Sequence, residues 1–166
     1  MKQILDLRSF LAVLEEAGQL THVHRQVSLV HELANVAASC QRQGRGAVIF
    51  EQPGESDWPV FAGAVGSTTL AALALLCDVS SISEVMGRVL DPAEAVPTQV
   101  VPEALWMQNV ITGDQVDLGR LPIPTHGLHD GGPFITGGIT VTKDPVSGRG
   151  NLSYNRMQLL GPRTFG

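Results

Sequence analysis

The sequence predicts a mixed α/β (α+β) protein, with a small N-terminal α/β domain over residues 1–100 and a β-rich region over residues 101–166. Three observations predict it. Apolar side chains recur at helical spacing in several stretches of the first ninety residues, and short β-favouring runs separate those stretches. After Pro92 the helical stripes stop, and prolines follow at positions 97, 102, 122, 124, 133 and 145. Near the C-terminus two β-favouring stretches flank a segment dense in turn residues, Lys143 to Gly150.

Leu7, Phe10, Leu11 and Leu14 lie on one helical face, with Asp6 or Ser9 as the cap and Gly18 just past the end. From Leu20 to Val27 the pattern turns to a period of two, because Thr21, Val23, Arg25 and Val27 alternate with His22, His24 and Gln26. That reads as a strand or an extended connection. Leu29, Leu33, Val36, Ala37 and Cys40 stripe a second helix that Gly44 and Gly46 terminate. Ala47 to Phe50 is a short strand stopped by Gln52, Pro53 and Gly54, and Val60 to Val65 is another. Thr68 to Cys77 is apolar almost all round, which predicts a helix buried on most sides. Ser81 and Glu84 have the spacing of a capping box ahead of Ile82, Val85, Met86 and Val89, and Asp91 and Pro92 close that helix. The boundary between the two regions falls between Asp91 and Pro102. Beyond it three strands are expected, over Leu105–Thr112, Phe134–Thr142 and Asn151–Leu160, the last two forming one long hairpin. The chain stops at Gly166 with nothing to cover the apolar face of that hairpin, an ending that reads as a cut.

Composition narrows the function classes. Hydrophobic residues make up 43% of the 166 and charged residues 16%, enough apolar surface for an ordinary core and too much for a disordered tail. The net charge of -5 comes from 11 basic and 16 acidic residues with the basic ones scattered, which argues against a nucleic-acid partner. No apolar run reaches the roughly 18 residues of a membrane span. The start, Met1 to Asp6, lacks the blocks of a signal peptide, so a cytoplasmic protein is expected. Cys40 and Cys77 each sit in an apolar, helix-like stretch and read as small hydrophobes of a reducing compartment rather than as a disulfide or metal pair.

Two weak signals come first among the candidate sites. Gly63, Gly66 and Ser67 stand between a strand and a helix, where backbone N–H groups hold phosphates in some proteins. Without a P-loop lysine or a full GxGxxG they read as a tight turn. His22, His24 and His31 are irregularly spaced and lack a partnering cysteine or carboxylate pattern, so they read as surface residues. The informative segment is Leu121 to Arg156. His126, His129 and Asp130 occupy a proline- and glycine-rich loop, and Gly137 and Gly138 interrupt the strand that follows, as at a bulge or a close approach of backbone or flat ligand. In NLSYNRMQLLG, Asn151, Ser153, Asn155, Arg156 and Gln158 crowd a strand that should be half-buried. Such polar density is costly unless protein partners or a polar ligand satisfy it, and periodicity leaves both open.

LPIPTHGLHDGGPFITGGITVTKDPVSGRGNLSYNRMQLLG resembles the signature of the UbiD family of decarboxylases in the order and spacing of LPxPTH, D-x-GPxIT-x-G, T-x-DP-x-x-G and N-x-x-x-x-R-MQ-x-x-G. The opening, DLRSFLAVLEEAGQLTHVHRQV, is similar to the family's usual start. The resemblance covers essentially the whole chain, closely after Leu121 and loosely between Gln52 and Val100. It implies a reversible, non-oxidative carboxy-lyase for aromatic, heteroaromatic or α,β-unsaturated acids, working with prenylated FMN, a divalent metal (commonly Mn2+) and often K+. The implied fold of the second region is the start of a split β-barrel-like flavin-binding domain. By the same match Asn151 resembles the family's metal ligand, Ser153, Tyr154, Asn155 and Arg156 fall in its cofactor-binding stretch, and Arg156 resembles its conserved arginine beside the substrate carboxylate. These residue types suit those tasks, since an amide oxygen is a hard ligand and a guanidinium pairs with a carboxylate through two bonds.

Asn151 and Arg156 are five residues apart, so strict alternation would send them to opposite faces of a strand. Both can serve one site only if an irregularity intervenes between them. The family's other metal ligands and its proton donor lie beyond this hairpin, and after Arg156 the chain has no Asp, Glu or His. The resemblance therefore implies the N-terminal portion of a UbiD-type enzyme, truncated and inactive alone. Its complete form is expected to homo-oligomerise and to receive its cofactor from a flavin prenyltransferase. The alternative is a naturally short, non-catalytic UbiD-like subunit or assembly module that uses the uncovered hairpin to bind a partner chain.

Overall fold

The computed structural model describes residues 3–97 and 99–166. Its four helices are α1 (Leu7–Glu16), α2 (Glu32–Arg42), α3 (Thr68–Ala74) and α4 (Ile82–Val89). Its strands are β1 (Leu20–Val23), β2 (Ala47–Phe50), β3 (Val60–Ala62), β4 (Phe134–Ile135), β5 (Ile139–Lys143), β6 (Gly150–Tyr154), β7 (Met157–Gly161) and β8 (Thr164–Phe165). They form three small sheets, ordered β1-β2-β3, β4-β7-β8 and β5-β6, and among the described residues no barrel closes. The fold class is α+β. The chain divides into two compact units. One comprises residues up to Val23 with Ala37–Ile49 and Phe61–Gly113, and the other comprises His24–Val36, Phe50–Val60 and Asp114–Gly166.

In the first unit, α1 starts where Asp6 and Ser9 cap each other, the Asp6 carboxylate accepting the Ser9 N–H at 2.8 Å and the Ser9 hydroxyl accepting the Asp6 N–H at 3.0 Å. The Ser9 N–H first, and then the Ser9 hydroxyl, which also donates to the Asp6 carboxylate, hold the Asp6 carboxyl below its ordinary range. The helix ends at Gly18, whose φ of 63° favours a residue without a Cβ. Phe10 and Leu14, one turn apart, face inward and meet Ala47 of β2 and Leu70 of α3. Phe61 of β3 closes edge-on against Phe10, with ring centroids 6.2 Å apart.

Gly46 shows why the chain needs a glycine before β2. Its φ is 77°, it is buried, and a Cβ there would run into the backbone carbonyl of Gln19, the same carbonyl that accepts the Ala47 N–H. Gly18 is also left-handed but opens onto empty space. Gly18→Ala is therefore expected to cost about 1 kcal/mol of backbone strain. Gly46→Ala should cost well over twice that, because backbone must shift as well. Urea unfolding of the two variants checks the difference, and equal midpoints would refute it.

Gly63, Gly66 and Ser67 form a turn. Gly66 N–H donates to the Gly63 carbonyl, the Gln41 side chain packs over both glycines, and the Ser67 hydroxyl caps α3 by accepting the Leu70 N–H. Ser81 does not form the expected capping box with Glu84, because a 3-10 turn over Val79–Ser81 leaves Ser81 in helical φ/ψ with no side-chain cap bond. The strand expected over Leu105–Thr112 is also absent. Leu105–Gln108 is a 3-10 turn, and Leu105, Trp106, Val110 and Ile111 are exposed.

In the second unit Val27, Leu33, Phe50, Pro53 and Ile123 are buried. Val27 bridges Pro53, and Val30 bridges Thr125. His31 N–H donates to the Thr125 carbonyl at 2.9 Å, and Thr125 N–H donates to Leu29 at 3.0 Å. His22 and His24 lie at the surface as expected, beside Glu15 and Glu51. His31 is partly buried and takes a φ of 65° at the start of α2. Cys40 and Cys77 are free thiols, the first buried and the second partly so. Among the described residues no single helix is long and apolar enough to cross a membrane.

Candidate functional site

The site is built on the hairpin β5-β6 and its continuation into β4 and β7. The tip is ordered by Asp144, whose carboxylate accepts the N–H groups of Val146 at 2.7 Å and Ser147 at 2.9 Å. Those bonds, Ser147's first, hold its carboxyl below the ordinary range. The turn sets the register, pairing Thr142 with Asn151, Thr140 with Ser153, Val141 with Leu152 and Ile139 with Tyr154. One face of the ribbon therefore carries Thr140, Thr142, Asn151 and Ser153. The other carries Ile139, Val141, Leu152 and Tyr154, all more than half exposed.

The expected long hairpin is interrupted in both strands. Ile139 pairs with Tyr154 and Ile135 with Met157, so four steps along one strand oppose three along the other. One extra residue is accommodated where Thr136, Gly137 and Gly138 face Asn155 and Arg156. An irregularity of this kind is what a site shared by Asn151 and Arg156 would need, since a bulge bends the ribbon and releases side chains from strict alternation. Asn155 N–H still donates to the Gly138 carbonyl at 3.3 Å. A Cβ on Gly138 would meet the terminal methyl of Met157, the end of a flexible side chain that can turn aside.

Beside the bulge the Ser153 hydroxyl donates to the Asn155 side-chain oxygen at 2.7 Å, which turns the Asn155 amide so that its NH2 is left to donate. Arg156 is exposed, and its guanidinium carbon stands 4.8 Å from the centroid of the Phe134 ring. Asn151 and Tyr154 are exposed as well, and among the described residues no hydrogen bond or ion pair joins Asn151 to Arg156. The structure thus brings Ser153 together with Asn155, and Arg156 together with Phe134, a partner that periodicity did not single out.

The loop ahead of β4 is stitched to the same strands. Pro124 accepts the Phe134 N–H at 3.0 Å, Pro133 accepts the Leu159 N–H at 2.9 Å, and the Gln158 amide packs against Gly131 and Gly132. Asp130 accepts the Gly127 N–H at 2.7 Å, and among the described residues the buried Nδ1 of His126 has no hydrogen-bond partner.

Two sequence profiles match this chain. That of the 3-octaprenyl-4-hydroxybenzoate carboxy-lyase N-terminal domain covers residues 11–90, and that of the 3-octaprenyl-4-hydroxybenzoate carboxy-lyase Rift-related domain covers residues 98–166. The chain belongs to the UbiD family. Solved structures agree. The UbiD-class enzyme HmfF from Pelotomaculum thermopropionicum, in an evolved dimeric form with prFMN, is 34% identical over 96% of the chain with a TM-score of 0.85. Vanillic acid decarboxylase from Sedimentibacter hydroxybenzoicus is 30% identical over 97% with a TM-score of 0.86. The 3,4-dihydroxybenzoic acid decarboxylase AroY of Klebsiella pneumoniae is 25% identical over 96% with a TM-score of 0.76. The chain spans just over a third of the length of each, 37%, 37% and 36% respectively.

The donors present on this ribbon could serve a metal ion and a flavin in part. Asn151 offers one hard oxygen donor on the polar face, and the Asn155 amide and the Arg156 guanidinium offer N–H donors suited to a flavin's polar edge or an anion. Among the described residues no group of three or more His, Cys, Asp or Glu side chains gathers to hold a metal. Asn151 could therefore supply one ligand of several.

Proposed function

We propose that this UbiD chain is the flavin- and metal-binding part of an enzyme that reversibly decarboxylates an aromatic, heteroaromatic or α,β-unsaturated carboxylic acid without net oxidation. Residues 1–100 are its N-terminal α/β domain, and residues 101–166 open its prenylated-FMN-binding domain. The observation that carries the reading is Arg156, a guanidinium with no carboxylate partner among the described residues, set at a bulge within five residues of the exposed Asn151 amide. Membership of a carboxy-lyase family and likeness to a UbiD-class enzyme solved with prFMN support it.

Asn151 would hold the divalent metal, manganese by donor hardness or magnesium, through its side-chain oxygen, with K+ as a further ion nearby. Asn155, oriented by Ser153, would donate to the flavin, and Ser153 and Tyr154 would flank it. When bound, prenylated FMN supplies an electron sink for the carbon that loses CO2. Arg156 would pair with the substrate carboxylate through two N–H bonds and hold the C–CO2 bond in a fixed orientation. Proton return needs an acid from outside residues 151–166, which contain no Asp, Glu or His. The reading places the protein in the cytoplasm, as a homo-oligomer in its active form.

Co-expression with a flavin prenyltransferase tests it. The full-length protein that contains this chain, purified from that co-expression, is expected to carry a flavin absorption spectrum and to release CO2 from at least one acid of a panel covering the three classes. Flavin-free protein under those conditions would sink the proposal. The exposed apolar face of Ile139, Val141, Leu152 and Tyr154 favours a second reading, a non-catalytic subunit that docks on a partner chain. Flavin binding without CO2 release, together with a copurifying partner, would select it.

A further inference from the structure

Arg156 poses a physical problem. It is exposed, and among the described residues no carboxylate pairs with it. A long cationic side chain in that setting samples many rotamers, and fixing it on a ligand costs entropy. Its guanidinium carbon nevertheless stands 4.8 Å from the centroid of the Phe134 ring. The ring is itself held in place. Phe134 is half-buried, its N–H donates to Pro124 at 3.0 Å, it pairs with Gln158 across the ladder, and the preceding carbonyl accepts from Leu159 at 2.9 Å. Arg156 precedes Gln158 by two residues, so it is the diagonal neighbour of Phe134, a separation that aromatic and long side chains span.

An aromatic face differs from a carboxylate as an anchor. It attracts the cation electrostatically without accepting a hydrogen bond in the plane of the guanidinium, so the fork of N–H donors stays available. An Asp or Glu in its place would take the bonds that a ligand carboxylate needs. We propose that Phe134 is a positioning residue, which holds Arg156 in its binding rotamer while leaving its donors open to the substrate carboxylate. This rests on the reading of Arg156 as the carboxylate anchor.

The test uses NMR of the arginine side chains in the full protein, with benzoate as the probe. In the wild type the Arg156 δ and ε protons are expected upfield of ordinary arginine values through the ring current of Phe134. Phe134→Leu should return them to ordinary values, and Phe134→Tyr should keep them shifted. Benzoate affinity, followed on the same signals, should fall about two- to fivefold in Phe134→Leu, the size of an exposed cation–π contact, and recover in Phe134→Tyr. Ordinary Arg156 shifts in the wild type, or wild-type benzoate affinity in Phe134→Leu, overturn the proposal while leaving the anchor reading intact. If Arg156→Ala binds benzoate as well as the wild type does, or the wild type does not bind it, the anchor reading fails and Phe134 has nothing to position. Should Phe134→Leu not fold, the wild-type shifts and the Phe134→Tyr affinity still decide.

Discussion

On the proposed function, Arg156→Ala in the full-length enzyme is expected to lower kcat/KM for CO2 release by about 10² to 10³-fold while leaving stability within about 1 kcal/mol of the wild type. The two halves of that expectation have different causes. Losing a bidentate charge-assisted pair removes both attraction and orientation, and misplacing a reacting group by as little as an ångström costs about a hundredfold. Stability, by contrast, has little at stake. The side chain is exposed, no carboxylate among the described residues pairs with it, and its contact with Phe134 is worth only about 0.5–1 kcal/mol. Arg156→Lys keeps the charge but loses the planar fork, so it should recover only part of the rate. Steady-state kinetics on the best acid of the panel, paired with thermal unfolding, reads both halves. Wild-type kcat/KM in Arg156→Ala would remove the guanidinium from the reaction, and a rate loss matched by a large drop in Tm would assign it a structural role.

How much of this was legible in the sequence depends on whether short-range or long-range forces decided each element. The Asp6–Ser9 cap, Gly18, the β2 run and the tip at Asp144 were readable, because side chains within a few residues settle them. The apolar run Leu105–Thr112 was misread. A β-favouring composition makes a strand only where another strand pairs with it, and these side chains lie exposed in and after a 3-10 turn. Ser81 failed as a capping box for the converse reason, since the turn at Val79 had already fixed its backbone. Gly137 and Gly138 announced a bulge, and a site shared by Asn151 and Arg156, five residues apart, would need one. Its place and its one-residue size emerged only from the pairing of both strands. Phe134 was hidden for the same reason. Its diagonal relation to Arg156 exists only once Phe134 is known to oppose Gln158.

Leu14→Ala is expected to destabilise the protein by about 2–5 kcal/mol, with a Tm lower by roughly 5–20 °C. Leu14 is fully buried, and the groups around it belong to separate elements: Phe10 one turn earlier on α1, Ala47 on β2 and Leu70 on α3. Ala47 is small and held in a ladder, and Leu70 sits in a short helix capped by Ser67, so neither backbone can move far to fill the gap. A cavity that stays open adds its own cost to the lost transfer free energy, which puts the upper half of the range in play. Leu7 on the same helix is the control. It is 53% exposed, so Leu7→Ala should stay within about 0.5 kcal/mol of the wild type although it removes the same atoms. Urea unfolding should then show the Leu14→Ala midpoint displaced with the slope unchanged, the mark of altered stability rather than an altered unfolded state. Similar midpoints for the two variants would mean that α1 does not pack on the sheet through Leu14.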